Sequence, residues 1–177
     1  MRSVAVFLSC QEIKNPVYLS AAEELGRCMA AKNIQLIYGG SSLGLMGNLA
    51  RALLEKNGKV IGILTHHLKE KELEQDGLSQ LIFVDDIAQR LKCMRELADA
   101  FIAFPGGLGT MEELFNAWNE IRLGLCNKKL GLLNINGYYT PFLDFIAHMH
   151  EHGFVSLENK EKLIIAQQVE TLLDLIF

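Results

Sequence analysis

Ala100-Phe101-Ile102-Ala103-Phe104-Pro105-Gly106-Gly107-Leu108-Gly109-Thr110-Met111-Glu112-Glu113 is the stretch that decides how this chain folds. The apolar run Ala100 to Phe104 suits a strand buried on both faces, and the amphipathic run opening at Met111 suits a helix. Between them, one proline and three glycines form a tight loop with bare backbone amides. Glycine puts no side chain between an amide and a ligand, and a helix N-terminus adds partial positive charge. Such a junction is expected to seat an anion, and phosphate in particular, at Gly106, Gly107, Leu108, Gly109 and Thr110. The loop lacks the lysine of a Walker P-loop and does not have Gly-x-Gly-x-x-Gly spacing. A nucleoside triphosphate and NAD are therefore disfavoured, and a monophosphate fits better. Thr110 and Glu113 also stand at capping-box spacing, a role that can coexist with anion binding.

The same alternation of short apolar runs and amphipathic stretches extends outward over the whole chain. Further strands are expected at Val4 to Leu8, Leu36 to Tyr38, Val60 to Leu64, Leu81 to Val84, Leu130 to Asn134 and Leu163 to Ile165. Tyr18, Ala22, Leu25 and Met29 recur at helical spacing, as do Leu114, Trp118, Ile121 and Leu125, and each set reads as a core-facing stripe. The expected fold is α/β: a single Rossmann-like domain over residues 1–177, doubly wound, with a mostly parallel sheet and helices on both faces. Ligands of open α/β sheets sit beyond the carboxyl ends of the strands. One such end carries a second glycine loop, Tyr38-Gly39-Gly40-Ser41-Ser42-Leu43-Gly44-Leu45-Met46-Gly47, in which Gly39 and Gly40 are candidates for the facing wall. A plain turn of small residues is the alternative reading of that loop.

Composition narrows the function. The 177 residues are 50% hydrophobic and 21% charged, with a net charge of −4, so the basic surface of a nucleic-acid binder is not expected. Cys10, Cys28, Cys93 and Cys126 are far apart and suggest reduced core thiols. No segment has the length and apolarity of a membrane span, and the N-terminal apolar run is short for a signal peptide, so a cytoplasmic location is expected. His148, His150 and His152 alternate, and only His148 and His152 share a helix face, which makes a metal site an unfavoured reading.

The combination of motifs is specific. PGGLGTMEE at 105–113 resembles the Pro-Gly-Gly-x-Gly-Thr-x-x-Glu motif of the LONELY GUY family, and YGGSSLGLMG at 38–47 is similar to its Gly-Gly-Gly-x-x-Gly-Leu-Met-Gly. Asn15-Pro16-Val17-Tyr18, Val60-Ile61-Gly62, Leu97 to Ile102, Gly131 to Asn134 and Gly137-Tyr138-Tyr139 extend the resemblance over nearly the whole chain. It implies a nucleoside 5′-monophosphate phosphoribohydrolase, which releases free base and ribose 5-phosphate from cytokinin riboside monophosphates or AMP-like nucleotides. It further implies a homodimer and no metal or cofactor. Many members were labelled lysine decarboxylases, yet no lysine here has the surroundings of a pyridoxal phosphate site.

The resemblance also assigns residues. The phosphate loop is Gly106 to Thr110, the essential carboxylate is Glu113 and the essential arginine is Arg90. Glu72 is a substrate contact, and Asn119 occupies the place of a family threonine. Placed near a helix N-terminus, Glu113 is expected to be held ionised and to face the oxocarbenium charge of the breaking ribosyl bond. Departures from the family pattern lie in the first loop, where Leu8-Ser9-Cys10-Gln11-Glu12-Ile13 replaces a Cys-Gly-Ser-Ser-x-Gly, and at Leu91, which replaces a lysine beside Arg90. A carrier of a phosphorylated pterin, such as a molybdenum-cofactor carrier, is the alternative function.

Overall fold

A computed structural model describes residues 1–67 and 74–177. The chain runs β1 (Arg2–Phe7), α1 (Pro16–Ala31), β2 (Ile34–Tyr38), α2 (Gly44–Leu54), β3 (Val60–Thr65), β4 (Gln80–Val84) and α3 (Ile87–Leu97). It continues through β5 (Ala100–Ala103), α4 (Leu108–Arg122), β6 (Lys129–Leu133), α5 (Thr140–Glu151), α6 (Leu157–Glu161), β7 (Leu163–Ala166) and α7 (Val169–Ile176). The strands lie in one sheet ordered β4-β3-β2-β1-β5-β6-β7, and every ladder between them is parallel. Each strand run read from the sequence is present, with ends shifted by a residue or two.

Local chemistry sets the helix starts. Asn15 accepts a hydrogen bond from the amide of Val17 at 3.0 Å, and Pro16 occupies the first helical position, where its missing N–H costs nothing. Asp86 caps α3 by accepting from the amide of Gln89 at 2.7 Å. Alternation along β1 sends Val4 and Val6 to one face and Ala5 and Phe7 to the other, and both sets are buried. The first face is covered by α1, α2 and α7, the second by α3, α4 and α5. Ala22, Leu25 and Met29 are fully buried, and each large apolar side chain of this kind contributes roughly 1.5–3 kcal/mol.

The close approach of α1 to α2 depends on Gly26, where a Cβ would come within 2.7 Å of the Leu49 carbonyl oxygen, while Gly47 yields space to the Ser42 carbonyl beside it. One packing detail departs from the sequence reading. The stripe on α4 stops at Ile121. Gly124 turns the chain at φ 72°, and Leu125 lies beyond the helix, largely exposed.

The sheet order puts β2 on one side of β1 and β5 on the other, so the chain reverses its direction of winding between β1 and β5. The loops leaving these two strands separate there and open a crevice, which is where doubly wound sheets take ligands.

Candidate functional site

Helix α4 begins at Leu108, three residues earlier than the amphipathic pattern suggests, with Gly107 as its N-cap. The first intrahelical bond runs from the amide of Met111 to the carbonyl of Gly107 at 3.0 Å. The amides of Gly107, Leu108, Gly109 and Thr110 thus lack a partner within the helix, as the opening amides of any α-helix do. The capping box does not form, because glycine occupies the cap and offers no side chain. Thr110 is the third helical residue and Glu113 the sixth. The dipole's influence fades within the first turn, so its help to the Glu113 carboxylate is smaller than the spacing implies.

The glycines of this loop have different reasons. A Cβ on Gly106 would overlap Thr110 Oγ1, so the fold itself demands glycine there. Gly107 and Gly109 face open space, with no described residue outside their own stretch of chain within 4 Å of such a Cβ, and neither has a positive φ. Their bareness leaves room for a ligand to approach the loop amides. Gly109→Ala is therefore expected to raise stability by up to about 1 kcal/mol, since alanine is the better helix former, while weakening phosphate binding. Paired melting and phosphate titrations check this, and unchanged phosphate affinity would remove Gly109 from the site.

The loop opens into a cleft of about 350 Å³ lined by Leu8, Ser9, Cys10, Gln11, Met46, Arg90, Gly107, Leu108, Gly109, Thr110 and Glu113. It occupies the crevice between β1 and β5. Glu113 and Arg90, assigned by motif from segments 23 residues apart, both reach it, and both are buried, at 8% and 7% exposure. Arg90 is no surface arginine. Its Nε donates to the Ile63 carbonyl at 3.0 Å and its Nη2 to the Gly39 carbonyl at 3.2 Å, so the carboxyl ends of β2 and β3 hold its guanidinium. Among the described residues that line the cleft, Arg90 is the only cation.

Gly39 and Gly40 do not line the cleft, which corrects their expected role as its facing wall. A Cβ on Gly39 would overlap Arg90 Nη2, so this glycine makes room for the arginine and not for a ligand. Gly40 has φ 80° and accepts from the amide of Gln75 at 3.1 Å, which serves the turn. Asn119 is exposed on the outer face of α4 and accepts from Arg122 at 2.7 and 3.0 Å. It lines a separate hollow with Phe115, Trp118 and Met149, away from Glu113, because positions 113 and 119 are about 120° apart around a 3.6-residue helix. Glu72 falls outside the described residues.

The first loop has lost its glycines but is anchored: Met46 donates its amide to the Ser9 carbonyl at 3.2 Å, and Gly44, at φ 54°, lets the backbone of Cys10 and Gln11 approach α2 closely. Sequence reasoning misses Met46 as a lining residue, since a methionine at helical spacing reads as core. Leu91 is buried, and Lys92, one residue on, points away and pairs with Glu96 at 3.8 Å. The cation beside Arg90 in the family pattern is thus replaced by an apolar contact. His148 and His152 do share a face, with ring centroids 4.2 Å apart.

Helix-opening amides, an arginine and a carboxylate gathered at the switch point of a parallel sheet define an α/β protein of the doubly wound class, with a cleft whose chemistry suits an anionic ligand. A family model described as possible lysine decarboxylase matches residues 46–176. Over 170 residues the chain is 40% identical to a cytokinin riboside 5′-monophosphate phosphoribohydrolase of Rhodococcoides fascians, covering 96% of this chain and 86% of the relative. It is 39% identical to an Arabidopsis thaliana protein of the same description, covering 97% and 80%. The chain belongs to the LONELY GUY family. In fold it is similar to the molybdenum cofactor binding protein of Rippkaea orientalis, with TM-score 0.75 and 23% identity over 99% of this chain and 94% of that one. The molybdenum cofactor carrier protein of Chlamydomonas reinhardtii aligns with TM-score 0.70 and 19% identity over 99% and 95%.

Proposed function

We propose that the protein is a nucleoside 5′-monophosphate phosphoribohydrolase, acting on cytokinin riboside monophosphates or AMP-like nucleotides. The observation that carries this reading is the convergence of bare loop amides, Arg90 and Glu113 on one cleft. The 5′-phosphate sits on the amides of Gly107 to Thr110, where partial positive charge favours an anion. Arg90, fixed by two backbone carbonyls, adds a full positive charge that needs no reorganisation during the reaction. The N-glycosidic bond breaks toward the base, which leaves with a proton, and water adds its hydroxyl to the anomeric carbon. Positive charge builds on the sugar as the bond stretches, and the Glu113 carboxylate stabilises it and orients the water. Burial of Glu113 strengthens that interaction, because a water-poor cleft screens charge less than bulk solvent.

The test is incubation of pure protein with AMP or isopentenyladenosine monophosphate, with chromatography of the products. Free base and ribose 5-phosphate are expected in equal amounts. Tight binding without release of base would overturn the reading and favour a carrier of a phosphorylated pterin. That second reading draws on the altered first loop, Ser9 to Ile13, and on the likeness of fold to molybdenum-cofactor proteins. Glu113 supports the enzyme, since a carrier has no use for a carboxylate facing the sugar.

The same reading includes a homodimer in the cytoplasm. Trp118 and Ile121 are core of the single chain, so a partner copy would meet exposed apolar side chains such as Phe115, Leu125 and Phe154, exposed at 43%, 75% and 84%. Among the described residues, no helix is long and apolar enough to cross a membrane.

A further inference from the structure

Gly106-Gly107 has the most conformational freedom to lose when the loop is ordered, since glycine gives up more on folding than any other residue. Something must fix the direction of its peptide if the amides are to point at an anion. Two adjacent tyrosines reach this loop from the corner after β6. Tyr139, fully buried, donates its hydroxyl to the Phe104 carbonyl at 2.7 Å. Tyr138 donates its hydroxyl to the Gly106 carbonyl, also at 2.7 Å. Their rings meet edge to face at 4.9 Å, and Tyr18 of α1 stands edge-on to Tyr138 at 5.7 Å.

The corner is built to present this pair. Asn136 and Gly137 both have positive φ, at 50° and 71°, which turns the chain sharply before Tyr138. The Asn134 side chain then accepts from the Tyr139 amide at 2.7 Å. Tyr138 lines a hollow with Pro105, Gly106 and Gly107 that adjoins the cleft; Tyr138 and Gly106 border the hollow alone, while Ser9, Gln11 and Gly107 border both. In a planar trans peptide the N–H points opposite to the C=O. Holding the Gly106 oxygen toward Tyr138 therefore turns the Gly107 N–H away from Tyr138, and Gly107 is the residue of that peptide which lines the cleft.

We infer that Tyr138 is a positioning residue for phosphate recognition: through its hydroxyl on the Gly106 carbonyl it aims the Gly107 amide into the cleft. This rests on the phosphate site of the proposed function. The hydrogen bond also polarises the peptide it holds, which makes the Gly107 N–H a better donor.

Tyr138→Phe deletes the hydroxyl and keeps the ring stack. Inorganic phosphate and adenosine are titrated into the wild-type protein and the variant by calorimetry, and AMP turnover is followed in both. The variant is expected to melt within a few degrees of wild type. Its Kd for phosphate and its KM for AMP should rise about 5- to 10-fold, the size of one lost hydrogen bond, with kcat and the affinity for adenosine nearly unchanged. Equal phosphate affinity in the two proteins would overturn the inference, as would an equal loss for phosphate and adenosine, the mark of a merely structural role. Wild-type protein that binds phosphate but never turns over AMP would sink the enzymatic reading alone, and the phosphate titrations would still decide the role of Tyr138.

Discussion

Glu113→Gln lowers release of base from a nucleoside monophosphate by about 10²–10³-fold, the cost of removing one charge-stabilising group from a reacting centre. Glutamine keeps the length and volume of the buried side chain and can still hydrogen-bond, so the packing of α4 against the sheet is expected to survive. What disappears is the negative charge. The loss should fall on kcat, because the oxocarbenium charge that Glu113 meets exists only in the transition state. Affinity for phosphate and ribose 5-phosphate should change little, since the loop amides and Arg90 remain. Steady-state kinetics with AMP, set beside a melting curve, decide the matter. Wild-type turnover in a folded Gln variant removes Glu113 from the reaction, and the carrier reading gains.

Arg90→Ala is expected to cost both activity and stability. Its guanidinium satisfies the Ile63 and Gly39 carbonyls inside the protein, and deleting it leaves both without that partner. Each unsatisfied buried acceptor costs about 1–3 kcal/mol, so a loss on the order of 3 kcal/mol is expected. Activity should fall at least as far as in the Glu113 variant, since the cleft loses its positive charge. Arg90→Lys recovers only part of this, because a single ammonium cannot reproduce a planar fork that reaches two carbonyls.

Gly39→Ala separates placement of the charge from its presence. Residue 39 does not line the cleft, yet a methyl group there overlaps Arg90 Nη2 and must push the guanidinium aside. Activity should drop about 10²-fold with every cleft residue intact, the scale on which a displacement of about 1 Å acts in an active site. A fully active Gly39→Ala protein would show that the arginine's position is not critical.

Part of the site is legible in the amino-acid sequence. The motif singles out Glu113, and a strand, three glycines and a helix in succession mark the phosphate loop as an anion seat. The motif also points to Arg90, but spacing alone does not distinguish it from a surface arginine, because its carbonyl partners lie 27 and 51 residues away. Gly39 misleads for the same reason. A glycine near a strand end looks like space left for a ligand, and only the packed structure shows that the space belongs to a guanidinium. Asn119 stands at the place of a family threonine, and helical phase turns it away from the cleft. Met46 and Tyr138 fall within stretches that carry the resemblance, yet the sequence assigns neither a role at the site, since each looks like ordinary packing until its neighbours are known.

By itself the sequence determined the parallel α/β architecture, the described strands of its sheet and the glycine loop between β5 and α4, because periodicity, capping and glycine chemistry act over a few neighbouring residues. Tertiary structure alone decided which side chains share the cleft. Residues 8–11, 46, 90, 107–110 and 113 meet only after the crossovers have packed helices onto both faces of the sheet. Their meeting depends on register and helix phase, long-range quantities that no local stretch of chain contains.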